Sequence, residues 1–309
     1  MAASTDDDPT TEPRPDLTLS RALGPASSGR FDELRGRLAE PGAPLAAVVP
    51  VWRQFFEALH ADGAVDAADI ASRAARVQRR VREDGATYHV HGAGTDAVHA
   101  WPLQPLPLLL SAAEWPAIEA GVAQRARMFN ATLADIYGGQ TLLREAVLPP
   151  SLVFAHPQYL RPMHGVTPPG GVYLHVAAFD LARGPEGRWW VLAQRLQAPS
   201  GLGYLLENRL IVAQEMHEAF AALRVQRVGA SFQRWLGDLR ALSPAGERAR
   251  VVLLTPGPLH ETYFEQVFLA RYLGLTLVEA SDLTVRDRQL FLKTMQGLER
   301  VHVVLRRVD

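Results

Sequence analysis

Apolar side chains recur at helical spacing through the first half of the chain. Val51, Trp52, Phe55, Phe56 and Leu59 fall on one helix face, and Ile70, Ala74, Val77 and Val81 form the next stripe. A third, longer stripe runs through Trp115, Ile118, Val122, Ala126, Phe129, Leu133 and Ile136 and stops near Gly138-Gly139. Ser111 and Glu114 precede it at the spacing of a capping box, in which each side chain satisfies the other's backbone N–H. Between the second and third stripes "TYHVHG" alternates, which predicts a short strand with His89 and His91 on one face. Residues 29–150 are therefore expected to form a helical region. Residues 1–28 lack periodicity and are rich in Asp, Pro, Ser and Thr, so they read as a disordered tail.

From Val153 the texture changes. "TPPGGVYLHVAAFDLARGPEGRWWVLAQRL" predicts strands over 172–181 and 188–196, joined by a Gly-Pro-Glu-Gly turn. Helices are expected over 207–217 and 221–242. "RVVLLTPGPLHETYFEQVFLARYLGLTLVEASDL" then reads as strand, tight turn, helix and strand, a βαβ unit with a buried parallel first strand. A hairpin is expected around Arg286-Asp287, and "RVHVVLRRV" predicts one further buried strand. The fold class is α+β or α/β: a helical region, a hairpin with helices over 151–248, and a βαβ sheet over 249–309.

Composition narrows the functional classes. The chain has 309 residues, 48% of them hydrophobic and 21% charged, enough for about two globular domains. Its formal net charge is -1, so no overall field draws it to nucleic acid or to an acidic membrane. Arg73, Arg76, Arg79, Arg80 and Arg82 cluster without interleaved aromatics, the pattern of a solvated helix face. There is no cysteine, which removes disulfides, thiolate nucleophiles and Cys-ligated zinc. The acidic N-terminus lacks an apolar core and does not read as a signal peptide, and "PLPLLL" is too short to span a bilayer. A cytoplasmic location is expected. Lys293 is the sole lysine.

Familiar loops are missing: there is no G-x-x-x-x-G-K-[ST], no strand-to-helix G-x-G-x-x-G, no H-E-x-x-H and no G-x-S-x-G. Three groups of polar residues remain. His89, His91, His99 and Asp96 could approach a metal, with hydrogen-bonding histidines as the plainer reading. Asp180, with Glu207 and Asn208 beyond the "PSG" turn, offers oxygen ligands suited to Mg²⁺. The alternatives are that Asp180 holds its turn or pairs with Arg183, and that Glu207 caps a helix. Thr255, Gly257 and His260 line the turn entering the βαβ helix, while Glu279, Asp282, Arg306, Arg307 and Asp309 stand at neighbouring strand ends. Ligands of open α/β sheets bind at such ends. An ordinary tight βα turn is the alternative there.

Four stretches carry a resemblance to a known family: "PPGGVYLHVAAFDLAR", "GRWWVLAQRLQAPSGLGYLLENRL", "VVLLTPGPLHETYFEQVFLARYLGLTLVEASDLTVRD" and "VHVVLRRVD". Together with "WPLQPLPLLLSAAEWPAIEAGVAQRARMFNATLADIYG" they resemble the circularly permuted ATP-grasp proteins of bacteria, from about Trp52 to the end. The resemblance implies ATP-dependent carboxylate-amine ligases similar to glutathionylspermidine synthase, with ATP and Mg²⁺ as cofactors and small carboxylates and amines as substrates. It implies nucleotide contacts from Asp180, Arg195, Ser200, Gly201, Glu207 and Asn208, metal contacts from Asp180 and Glu207, and substrate contacts from Thr255, Gly257, His260, Glu279, Arg306, Arg307 and Asp309. Two departures stand out. Where the family carries an E-x-N-x-R run, this chain has Ala193, Arg195 and Gln197, with Gln194 between. Members also continue beyond the motif at Asp309, so the chain is expected to be an N-terminal portion, completed by its own C-terminal half or by a split-gene partner. A non-catalytic binding or assembly module is the alternative.

Overall fold

The computed structural model describes residue 24 and residues 26–42, 46–60, 67–90 and 97–307. Most of the tail expected at 1–28 lies outside these residues, as do His91, Asp96 and Asp309. In chain order the first elements are β1 (Phe31–Asp32), β2 (Arg37–Leu38), α1 (Pro50–Leu59), α2 (Ala67–Glu83), β3 (Thr87–Val90) and β4 (Ala97–Ala100). Next come α3 (Trp115–Ile136), α4 (Thr141–Arg144), α5 (Pro150–Phe154), β5 (Ala178–Arg183), β6 (Trp189–Arg195), α6 (Leu202–Glu215), α7 (His217–Ala222) and α8 (Gly229–Ala241). The last are β7 (Val251–Leu254), α9 (Tyr263–Leu273), β8 (Thr276–Val278), β9 (Leu283–Arg286), β10 (Gln289–Thr294), β11 (Gly297–Val301) and β12 (Val303–Arg306).

The chain divides into two compact units. One comprises residues up to Arg73 with 181–190 and 216–225; the other comprises 74–180, 191–215 and 226–309. In the first, Trp52, Phe55, Phe56 and Leu59 are buried as their spacing predicts, beside Met216 and Ala219 where α1 packs on α7. Asp32 shapes the turn between β1 and β2. Its Oδ1 accepts from the Leu34 and Arg35 amides at 3.0 and 3.2 Å, and its Oδ2 from Arg35 Nη1 at 2.7 Å. At the tip of the β5–β6 hairpin, the Arg183 guanidinium lies over the Phe31 and Trp189 rings, 4.8 and 4.4 Å from their centroids, and donates to Glu33 at 2.9 Å.

The second unit is layered. β12, β7 and β8 form a parallel sheet in that order, and β11, β10 and β9 an antiparallel meander. The period of two along β7 sends Leu253 to one face and Val252 to the other. Leu253 packs with Leu206, Phe232, Leu236, Leu269 and Leu273 from the helices, while Val252 packs with Val278, Leu292 and Val301. β7 is therefore buried on both faces, as expected of a parallel central strand. The meander's first turn, Asp287-Arg288, has both φ values positive, 47° and 60°, the backbone of a two-residue hairpin turn.

Several boundaries differ from the sequence expectation for local reasons. β5 starts at Ala178 rather than near Val172 because Asn130 Oδ1 accepts the amides of Tyr173 and Leu174, at 2.8 and 3.1 Å, and diverts them from a ladder. The helix expected over 221–242 is interrupted by Arg224, whose φ is 49°. The strand expected over "RVHVVLRRV" is split at His302: β11 ends in the meander and β12 enters the parallel sheet, with the Arg250 amide donating to His302 Nδ1 at 3.0 Å. The region 29–150 also holds the small β1–β2 and β3–β4 hairpins among its helices.

Candidate functional site

The "PSGLG" turn shows what its residues do most directly. Glu265, on α9, is fully buried and faces this turn. Its Oε2 accepts from the Gly201 amide at 2.5 Å and the Gly203 amide at 3.3 Å, so a carboxylate from another helix caps the start of α6. That cap explains why α6 begins at Leu202, earlier than its apolar pattern suggests. The other oxygen, Oε1, accepts from Arg307 Nη2 at 2.6 Å, and Arg307 Nη1 donates to the Pro199 carbonyl at 2.5 Å. Burial pushes the Glu265 carboxyl upward, while Arg307 and the two glycine amides hold it down. A Cβ on Gly203 would lie 2.4 Å from the Glu265 carbonyl oxygen, so only glycine fits there. Ser200 is exposed on the same turn. The Arg307 guanidinium, expected at a substrate, is thus a buried strut of this turn, and the Gly201 amide is already engaged.

In the first turn of α6, Tyr204 stacks on Trp101 with centroids 3.9 Å apart and donates its hydroxyl to the Thr87 carbonyl at 2.6 Å. Burial, then the negative charges of Glu265 and Glu261, raise the Tyr204 phenol far above its usual range. Trp101 Nε1 donates to Asn208 Oδ1 at 2.9 Å. Glu207 is buried and is pushed up to about 7, first by burial, then by the charge of Asp84 and a hydrogen bond with it, against Arg80. Glu207 Oε1 is buried without a hydrogen-bond partner. Glu207 and Asn208 therefore serve the packing of α6.

Asp180 and Arg195 meet at the base of the hairpin, Oδ2 to Nη2 at 2.8 Å. Both side chains are largely solvated. Arg183 is engaged by Glu33, so the Asp180–Arg183 pairing expected as one alternative gives way to Asp180–Arg195. For magnesium the donor set does not fit: Asp180 already faces a guanidinium, Ala193 brings no oxygen, and Glu207 is committed to Asp84. Among the described residues no group of three or more His, Cys, Asp or Glu side chains is arranged to hold a metal ion.

Of the histidines expected near a metal, only His89 and His99 are described, and these two do not share a face. Tyr88 lies opposite His99 and His89 opposite Val98, so His89 and His99 project to opposite faces. His89 donates its amide to the Glu261 carbonyl at 3.0 Å, and His99 stacks on Tyr88. The arginines of α2 are ion-paired: Arg76 with Glu215 at 2.7 Å and Arg80 with Asp84 at 2.8 Å.

At the carboxyl ends of the parallel strands, Thr255 Oγ1 accepts from the Gly257 amide at 3.1 Å. Gly257 has a φ of 112°, and a Cβ there would lie 3.4 Å from Glu279 Oε1. Glu279 and Asp282 form a capping box around a single 3-10 turn. Lys293 Nζ donates to the Ser281 carbonyl at 2.8 Å. Arg306 is exposed at the end of β12, paired in register with Leu254 of β7. His260 Nδ1 accepts from the Thr262 amide at 3.2 Å, and Gln266 Nε2 lies 3.3 Å away. Thr255, Gly257 and Glu279 thus converge on one edge of the sheet, with Arg306 ending beside it. Sequence reasoning did not single out Glu265, Tyr204, Trp101 or Asn130. Glu265 and Gln266 left one trace, two polar residues between the apolar ones of α9, and both prove buried.

These elements define an α+β protein of small sheets with a hairpin and a βαβ unit. Compared with known families, residues 107–309 match circularly permuted ATP-grasp type 2, and the chain belongs to that family. An uncharacterized protein of Mycobacterium tuberculosis (strain H37Rv) is 39% identical over 271 residues, 85% of this chain and 30% of that protein. One from Synechocystis is 37% identical over 226 residues, 73% of this chain and 47% of that protein. One from Mycobacterium leprae is 37% identical over 245 residues, 79% and 43%. The chain thus spans less than half the length of these relatives. ATP-grasp families generally bind ATP and Mg²⁺. No helix among the described residues is long and apolar enough to cross a membrane.

Proposed function

We propose that the chain supplies the hairpin and βαβ part of an ATP-dependent carboxylate-amine ligase similar to glutathionylspermidine synthase. A further polypeptide, its own C-terminal half or a split-gene partner, completes the enzyme in the bacterial cytoplasm. The observation that carries this reading is the family match from 107 to 309, which runs through the hairpin and the βαβ unit in that order. In such a ligase a carboxylate attacks the γ-phosphate of ATP and expels ADP. An amine then attacks the acyl phosphate and expels phosphate, and the protein's part is positioning and charge screening.

The Thr255–Gly257–Glu279 edge and Arg306 are the substrate-facing part of this proposal, with Arg306 as the counter-charge of a small carboxylate. On the nucleotide side Arg195 would exchange Asp180 for a phosphate oxygen, with Ser200 on the adjoining turn. Because the donor set does not suit magnesium, no step is assigned to a metal on this chain. The Asp180–Arg195 pair also favours a second reading, a binding or assembly module that keeps the fold without the metal site.

The test is ADP formation by a chimera of residues 1–309 followed by the unmatched part of the Synechocystis relative, supplied with ATP, magnesium and mixed small carboxylates and amines. Turnover that falls on Arg306→Ala supports the ligase. ATP binding without turnover selects the module.

A further inference from the structure

The second unit carries an apolar face that the described residues cover only in part. α3 is 22 residues long, yet of its apolar stripe only Ile118 is buried, and its main neighbour among the elements is the single turn of α4. An amphipathic helix draws most of its stability from burying such a stripe. Beyond it, Val147, Leu152 and Leu160 are 61%, 65% and 56% exposed, and Met128 on α3 is 51% exposed. From Ala146 to Phe179 the sequence has no Asp or Glu and a single arginine, Arg161. Exposed apolar side chains concentrated along one uncharged segment are the composition of an interaction site.

The segment after α4 is nevertheless held in one arrangement. Asn130 binds Gly171, Tyr173 and Leu174 through its side-chain amide. Asp135 accepts the amides of Thr141 and Leu142 at 2.8 and 2.9 Å. The Gly165 amide donates to the Tyr137 carbonyl at 2.7 Å, and Tyr137 stacks on Tyr159 and Tyr173 with centroids 5.3 and 6.3 Å away. Polar side chains of α3 thus pin a largely irregular segment most of whose apolar groups, Val153 apart, are left exposed. Such a surface is pre-shaped for a partner.

We propose that this face, from α3 through residue 172, is the seat of a polypeptide equivalent to the part of the longer relatives outside the matched stretch. The face lies within residues 107–309, the stretch that matches the family, and the Synechocystis and mycobacterial relatives carry more than half of their length outside the match. The absence of carboxylates suits an apolar protein surface better than a basic one. This inference rests on the reading that a further polypeptide completes the enzyme, but not on its chemistry.

The test is photo-cross-linking in the intact Synechocystis relative, with benzophenone side chains at the positions aligned with Leu152 and Leu160. Cross-links into the unmatched part of the same chain are expected. Cross-links only between copies, or none, overturn the proposal. Light scattering on residues 1–309 gives an independent measurement. A monomer is expected, and a stable dimer dissociated by Leu152→Arg would assign the face to a second copy and overturn it. Neither readout needs ATP, so either can fail while the chimera turns over, and the reverse.

Discussion

Glu265 and Arg307 are joined Oε1 to Nη2 at 2.6 Å with both side chains nearly or fully buried, and the pair closes around the "PSGLG" turn. Removing one partner leaves the other charge buried and unpaired. Arg307→Leu should cost about 3–5 kcal/mol. The double variant Glu265→Leu/Arg307→Leu should regain part of the pair's share but lose the cap of α6. Urea denaturation of the two singles and the double measures this, and additive losses would show that the pair is not coupled.

Gly203→Ala should destabilise by about 3 kcal/mol or more, because the added Cβ meets the Glu265 backbone rather than a side chain that can turn away. Gly237, in α8, has nothing within 4 Å of its would-be Cβ. Gly237→Ala should stabilise by about 0.5–1 kcal/mol. Thermal unfolding of the two variants should therefore move in opposite directions.

Glu207 titrates near 7 in the folded chain against 4.5 for the free group. An acid whose value is raised by folding favours its protonated form, so its contribution is fully present below 4.5 and is lost as pH rises through about 7. The loss is at most about 3 kcal/mol, less any screening by solvent. Glu207→Gln should flatten unfolding free energy between about pH 4.5 and 7, the range in which the wild type declines. A variant that keeps the wild-type slope would place the titration elsewhere.

Arg288 holds a φ of 60° in the Asp287-Arg288 turn, a conformation that costs a non-glycine residue about 1 kcal/mol. Arg288→Gly should leave the β9–β10 register unchanged and raise the melting temperature slightly. A lower melting temperature would mean that the arginine side chain contributes more than its backbone costs.

The layered core was legible because it rests on local periodicity. The unbroken apolar run "VVLL" and the stripe of α1 put Leu253 and Phe56 inside without reference to anything distant. The seating of the "PSGLG" turn was not legible, because it depends on Glu265 and Arg307, 64 and 108 residues from their partners on that turn. Asp180 was legible as a polar group of the hairpin, but its choice of Arg195 over Arg183 is set by Glu33 taking the latter. Sequence patterns report which face is apolar. They do not report which distant charge arrives to fill a polar position.

Lys293 donates to the Ser281 carbonyl beside the turn capped by Glu279, and it is the sole lysine. Amine-directed reagents therefore address one side chain in the whole sequence, besides the backbone amino group at the chain's start. A fluorophore attached there would report on the edge formed by Thr255, Gly257 and Glu279 without engineering. Lysine-specific mapping would be blind to every other surface of the molecule.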